Sequence, residues 1–308
     1  MLAATLLALA AAAGAPTTPA ATTPATAPAA TASPAATASV TLPAAEAGAG
    51  AVLETSPRHG EWADVRGPGG TPIRAWTVYP ERKDKAPVVI VLMEVYGLTD
   101  WIRAVADRFA AEGFIAVAPD MLSGKAPEGG GSEALANRDE AVTLVRGLAP
   151  EEVVARLDAV RGWALKLPAA NGRTGIVGFC WGGGRSFAYA IAQPALDAAV
   201  VYYGASPSDT AVLAGLRVPV LGLYGGDDAR VNSTIDPARE VLANTGRTYE
   251  VEIYEGAGHG FLRQQTERDG ANLRAAEAAW PRTLAFLREH LGDKGVGAPA
   301  PSKPARNQ

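Results

Sequence analysis

Thr174-Gly175-Ile176-Val177-Gly178-Phe179-Cys180-Trp181-Gly182-Gly183-Gly184 is the stretch of this 308-residue chain on which the reading of the fold turns. Thr174 to Phe179 reads as a strand covered on both faces, and apolar spacing at three and four residues from Gly183 to Ala192 reads as a helix. Cys180 falls on the junction. A sharp strand-to-helix turn forces its central residue into a strained backbone conformation, and glycines two before and two after that residue keep side chains from colliding there. The pattern is that of a nucleophile elbow, which projects its central side chain above the sheet. The helix dipole then favours a thiolate, and the Trp181 N–H becomes available to a developing oxyanion. The plain alternative is a small buried cysteine in a glycine-rich turn.

Working outward, the same buried-strand pattern recurs at Val88 to Met93, Phe114 to Ala118, Ala198 to Tyr203, Val218 to Tyr224 and Tyr249 to Tyr254. A hairpin precedes them, Glu61 to Arg66 and Ile73 to Tyr79 flanking Gly67-Pro68-Gly69-Gly70. Helical periodicity fills the intervals at Trp101 to Ala111, Glu133 to Leu148, Pro150 to Leu167, Pro237 to Asn244 and Gly270 to His290. Strand and helix alternate, which predicts an α/β fold with a mostly parallel central sheet, helices on both faces and functional groups at the carboxyl ends of the strands.

Hydrophobic residues make up 48% of the chain and charged residues 19%, ample for one large domain. The formal net charge is −4 with no Lys/Arg run, which argues against nucleic acid as a partner. Residues 1–15 carry a short apolar, alanine-rich stretch without a basic flank, too short for a comfortable membrane span; they are expected to be an export signal, placing the chain in the periplasm or outside the cell, and in the cytoplasm otherwise. Residues 16–50 are nearly all Ala, Pro, Thr, Ser and Gly and are expected to be a disordered linker, with the domain over 51–294 and an unstructured tail over 295–308. A single cysteine permits no internal disulfide and leaves Cys180 free for chemistry.

A nucleophile needs a base. Of three histidines, His59 lies at the edge of the linker and His290 at the end of the last helix; His259 sits in the glycine-rich loop Glu255-Gly256-Ala257-Gly258-His259-Gly260-Phe261 directly after a strand. An acid should follow the preceding strand, and Gly225-Gly226-Asp227-Asp228 offers two. Asp228 is preferred, with Asp227 left as the alternative. The chain order nucleophile, acid, histidine is that of α/β-hydrolases. Glu94 stands immediately after the Val88 to Met93 strand, either capping it in solvent or approaching Cys180, and the next residue, Val95, is placed to give the second oxyanion N–H.

Together, Met93-Glu94-Val95-Tyr96-Gly97, Gly178-Phe179-Cys180-Trp181-Gly182-Gly183, Gly225-Gly226-Asp227-Asp228 and Gly258-His259-Gly260-Phe261 resemble the dienelactone hydrolase family over roughly residues 60 to 291. The resemblance implies the α/β-hydrolase fold and a carboxymethylenebutenolidase-like hydrolase with a Cys180–Asp228–His259 triad, working through an acyl-enzyme, with Glu94 helping to activate the thiol. It also implies two arginines that hold a substrate carboxylate. Arg263 fits the first, four residues after the histidine. At the second, Gly124 stands in the aligned position with Lys125 adjacent, a charge without the bidentate fork, which points to an ester or lactone other than a dienelactone.

The expectation is therefore a monomer acting on a small ester or lactone, with Tyr96 beside the substrate and neither cofactor nor metal required. Two rivals keep the fold or the chain but not the chemistry: a small-molecule-binding protein whose triad is a remnant, and an envelope-tethered interaction protein in which the linker matters most. Tyr96, Trp181, Tyr203 and Phe261 would line the pocket or pack the core.

Overall fold

The computed structural model describes residues 40–292, one compact unit; the expected export signal, the linker up to residue 39 and the whole of the expected tail lie outside the described residues. In chain order the regular elements are α1 (Ala49–Thr55), β1 (Gly60–Arg66), β2 (Pro72–Val78), β3 (Ala86–Leu92), α2 (Asp100–Ala111), β4 (Ile115–Pro119), α3 (Arg138–Gly147), α4 (Pro150–Ala164), β5 (Ala170–Phe179), α5 (Trp181–Ala192), β6 (Ala198–Tyr202), α6 (Thr210–Leu213), β7 (Val220–Gly225), α7 (Ala229–Asn232), α8 (Ile235–Asn244), β8 (Tyr249–Tyr254) and α9 (Ala271–Leu291).

The strands form one sheet in the order β1-β2-β4-β3-β5-β6-β7-β8, antiparallel across β1-β2-β4 and parallel through the rest. Every residue of β3 is buried, as its unbroken apolar run requires of a strand with both faces covered. The two covering layers can be read from two glycines of β5. A side chain on Gly175 would press on Leu287 and Leu291 of α9, whereas one on Gly178 would strike Gly182 and Ser186 of α5. Residues three apart in a strand point to opposite faces, so α9 and α5 lie on opposite sides of the sheet. Beside α9 lies α2, the Phe109 and Trp280 rings 4.6 Å apart, and the core continues through Trp101, Phe179 and Tyr202 with neighbouring centroids at 5.0 Å.

Two expectations shift. The helical pattern from Glu133 to Leu148 is interrupted: a short 3-10 turn at Ser132–Ala134 is separated from α3 by Asn137, whose extended backbone and side-chain oxygen, accepting from the Glu140 N–H at 3.0 Å, start the helix afresh. More consequentially, the domain begins before residue 51. Pro43 is buried, Ala49 is 1% exposed, the Trp101 indole N–H donates to Ala44 O at 3.1 Å, and Gln265 donates to Pro43 O at 2.9 Å. Composition gave no sign of this docking, because it runs through backbone carbonyls that any sequence possesses.

Candidate active site

At the carboxyl end of β5, Cys180 adopts φ 56°, ψ −116°, a region that non-glycine residues enter at a cost of about 1–3 kcal/mol and that clusters at functional sites. The turn is enforced sterically. A Cβ on Gly178 would lie 2.1 Å from Gly182 O, and one on Gly182 would lie 2.4 Å from Met93 O, so neither position accepts a side chain. The second contact also places the first turn of α5 against the end of β3. Neither the Val95 nor the Trp181 backbone N–H has an acceptor among the described residues.

Asp228 ends the segment after β7 and caps α7, its Oδ1 accepting from the Val231 N–H at 3.4 Å; its Oδ2 accepts from His259 Nδ1 at 2.5 Å. Asp227, one residue earlier, turns outward to Arg268 at 2.6 Å. The structure thus brings Asp228 to the histidine and leaves its neighbour in a surface pair. Burial depresses a histidine, but here the hydrogen bonds to Asp228 and to the Cys180 thiol outweigh it and raise His259 to about 9. The same bond holds Asp228 below its ordinary range although burial opposes it. His259 and Cys180 arrive from different strands, as functional groups at the carboxyl edge of a parallel sheet do.

Glu94 is buried, but its partner is Arg263, whose Nε lies 2.8 Å from Glu94 Oε2 at an angle too poor for a good hydrogen bond. The sequence left Glu94 either capping its strand in solvent or approaching the thiol; it is buried, and the group it pairs with is the Arg263 guanidinium. Burial pushes the Glu94 carboxyl up, against the pull of Arg263 and His259, while a further carboxylate, Glu46, pushes it the same way as burial. Arg263, expected to wait for a substrate carboxylate, is engaged on its other side as well, donating to Glu46 Oε2 at 2.6 Å. Tyr96 lies beside both Arg263 and Arg138.

Lys125 is not brought to this cluster. Asp120 folds the 120–132 loop back on itself by accepting from the Leu122 N–H at 2.9 Å and the Ser132 N–H at 2.6 Å, and the Lys125 ammonium is held 2.8 Å from Glu152 of α4. A cavity of about 240 Å³ between Tyr96, Trp62, Arg103 and Asp120 includes none of Cys180, His259 or Asp228.

Two residues, Asn272 and Glu46, escaped sequence reading, and a third, Tyr203, was placed only in outline. Asn272 of α9, 1% exposed, accepts from the Gly258 N–H at 2.9 Å and donates to Gln264 O at 2.8 Å, clamping the loop that carries His259. Tyr203, which sequence placed only generally near the site, has its ring 5.1 Å from the His259 ring and a buried hydroxyl without a partner among the described residues; burial first, then the nearby Glu94, raises it far above its ordinary value. Glu46 sits in the segment read as linker, where a lone acid among alanines carries no periodic signal. Among the described residues, no three His, Cys, Asp or Glu side chains converge as a metal site would require, and no helix is long and apolar enough to cross a membrane.

Comparison with known proteins fits this geometry. Residues 73–291 match the model of the dienelactone hydrolase family. A Salmonella typhimurium protein named "Putative carboxymethylenebutenolidase" is 33% identical over 241 residues, 73% of this chain and 86% of its own length, and an Escherichia coli K12 protein of the same name is 31% identical over 242 residues, 74% and 86%. A crystal structure described as a "Putative Dienelactone Hydrolase" from Klebsiella pneumoniae superposes with a TM-score of 0.67 at 29% identity, covering 75% of this chain and 99% of that one. A dienelactone hydrolase-like promiscuous phosphotriesterase from metagenomic libraries shares the fold with a TM-score of 0.63 at 22% identity, covering 76% and 99%. The sheet is that of the α/β-hydrolases, and the chain belongs to the dienelactone hydrolase family of hydrolases.

Proposed function

We propose that the protein hydrolyses a carboxylic ester or lactone through an acyl-enzyme on Cys180, with His259 and Asp228 completing the triad. One observation carries this: a strained cysteine at the amino terminus of α5 within hydrogen-bonding reach of a histidine whose far nitrogen is held by a buried aspartate at 2.5 Å. A histidine with a value of about 9 is cationic at neutral pH, and an imidazolium beside the sulfur, together with the helix dipole, favours attack by the thiolate.

The thiolate sulfur attacks the carbonyl carbon, and the carbonyl π pair moves to oxygen, where the Val95 and Trp181 N–H groups stabilise the charge. As the tetrahedral adduct collapses, the C–O bond to the leaving alkoxide breaks and His259 gives that oxygen its proton. For a lactone the leaving alkoxide stays attached and the ring opens. Neutral His259 then takes a proton from water, whose oxygen attacks the thioester carbonyl; the C–S bond breaks, the acid is released, and thiolate and imidazolium are restored. Asp228 keeps the imidazole oriented and stabilises its charge throughout.

The test is turnover of a panel of p-nitrophenyl esters and small lactones by the full chain, compared with Cys180→Ala and His259→Ala. Each substitution should lower kcat/KM by at least about a thousandfold, the scale on which triad members act. Mass spectrometry of a rapidly quenched reaction should find the acyl group on Cys180. Equal background in all three proteins would defeat the proposal.

A further inference from the structure

Two guanidinium groups stand beside Tyr96, the Cζ of Arg138 at 4.7 Å from the ring centroid and that of Arg263 at 5.4 Å. Both are directed at one carboxylate. Arg263 donates to Oε2 of Glu46 at 2.6 Å, and Arg138 donates to its Oε1, so each oxygen is taken by a different arginine. Arg263 also pairs with Glu94 at 2.8 Å, and the two cations and two carboxylates of this group sum to zero. Glu46 reaches the group from a segment outside the family-matched residues 73–291. That segment is pinned to the loop behind His259 by backbone as well as side chain: the Glu46 N–H donates to Arg263 O at 3.0 Å.

We propose that Glu46 is a specificity-determining residue that reserves the site for uncharged esters and lactones; the inference rests on the hydrolase reading above. A substrate carboxylate entering past Tyr96 finds both guanidiniums occupied. It must either displace a carboxylate tethered at an effective concentration on the order of millimolar, or settle as a third negative charge beside Glu46 and Glu94. A neutral acyl chain meets neither obstacle and gains the aromatic face of Tyr96. A further guanidinium, that of Arg185, stands 5.6 Å from the Trp181 ring with no carboxylate partner among the described residues; it is a competing anchor for a substrate anion.

The test compares two esters with the same leaving group and acyl length, p-nitrophenyl pentanoate and mono-p-nitrophenyl glutarate, on the full-length wild type, Glu46→Gln, and Glu46→Gln combined with Arg138→Met. Gln keeps the volume and one acceptor oxygen. Wild type should favour the pentanoate by about tenfold or more in kcat/KM, and Glu46→Gln should narrow that ratio by about tenfold or more through KM for the glutarate ester. The double variant should widen it again, because the gain needs the released Arg138. Calorimetric titration with glutarate, which needs no turnover, should show affinity at least about tenfold higher in Glu46→Gln than in wild type. A ratio that Glu46→Gln leaves unchanged, a parallel loss on both esters, or a wild-type preference for the glutarate ester that Arg185→Met removes would each overturn the inference. No turnover of either ester, with glutarate binding still governed by Glu46, would defeat the hydrolase reading and leave the anion exclusion standing.

Discussion

His259 joins the proposed chemistry to stability. Its folded value of about 9 lies above the ordinary 6.5, so the proton binds the folded protein more tightly than the unfolded chain. The resulting stabilisation is complete below pH 6.5 and disappears as pH rises through about 9. Thermal unfolding of wild type and His259→Gln should therefore differ most near about pH 6 and least near about pH 10. The side chain is about a third exposed, so solvent screens part of the effect. In kinetics the same titration should appear as a fall in kcat/KM above about pH 9, where the imidazolium is lost. A profile that instead rises to a plateau above that pH would mean that neutral His259 is the resting form. The choice of Asp228 over Asp227 also belongs to this scale. Sequence could only prefer one of two adjacent acids, and geometry separates them because one caps α7 inward while its neighbour pairs with Arg268 in solvent.

Among the elements, β5 and α5 were legible because each carries its own period and the junction carries glycines whose absent side chains are sterically demanded. The first residues of β5, Ala170 to Arg173, were not: they include Asn171, Gly172 and Arg173 and are partly exposed, so no buried-strand pattern marks them. The α3 break at Asn137 was hidden for a related reason, since a cap is a single-residue event inside a helical period. The loop after β8 depends on α9 in a way no local pattern records. Asn272 supplies both an acceptor to Gly258 and a donor to Gln264, and replacing it by Ala would leave a buried N–H and a carbonyl unmatched. Asn272→Ala should destabilise the fold by about 1–3 kcal/mol and lower kcat/KM by about ten- to a hundredfold by loosening His259, with ester turnover and thermal unfolding read on the same preparation. Unchanged turnover would mean that the loop holds its shape without the clamp.

For the whole molecule, the informative error of sequence reading is the domain boundary. Residues 40–50 are poor in large apolar side chains, and composition alone assigns such a stretch to a linker. They nevertheless cover Trp101 through a carbonyl and hold Arg263 through the carboxylate and backbone N–H of Glu46. A chain starting at residue 51 should unfold several degrees below one starting at residue 40, a midpoint difference expected from about 1–3 kcal/mol of lost hydrogen bonding and burial. Equal midpoints would show that the segment adds nothing to the fold. The mostly parallel sheet and the closing α9 followed from alternating periods that extend over most of the chain, which is why the fold was readable where this docking was not.

Cys180 is the only cysteine in the chain, and it is partly open to solvent. A thiol-reactive chromophore therefore has one address per molecule, and that address is the proposed nucleophile. The colour released by a preparation counts its intact sites directly, with no correction for structural thiols. Any shortfall against protein concentration measures the fraction whose sulfur has already climbed the oxidation ladder. The molecule carries its own dosimeter, and oxidative wear and loss of turnover should advance in step.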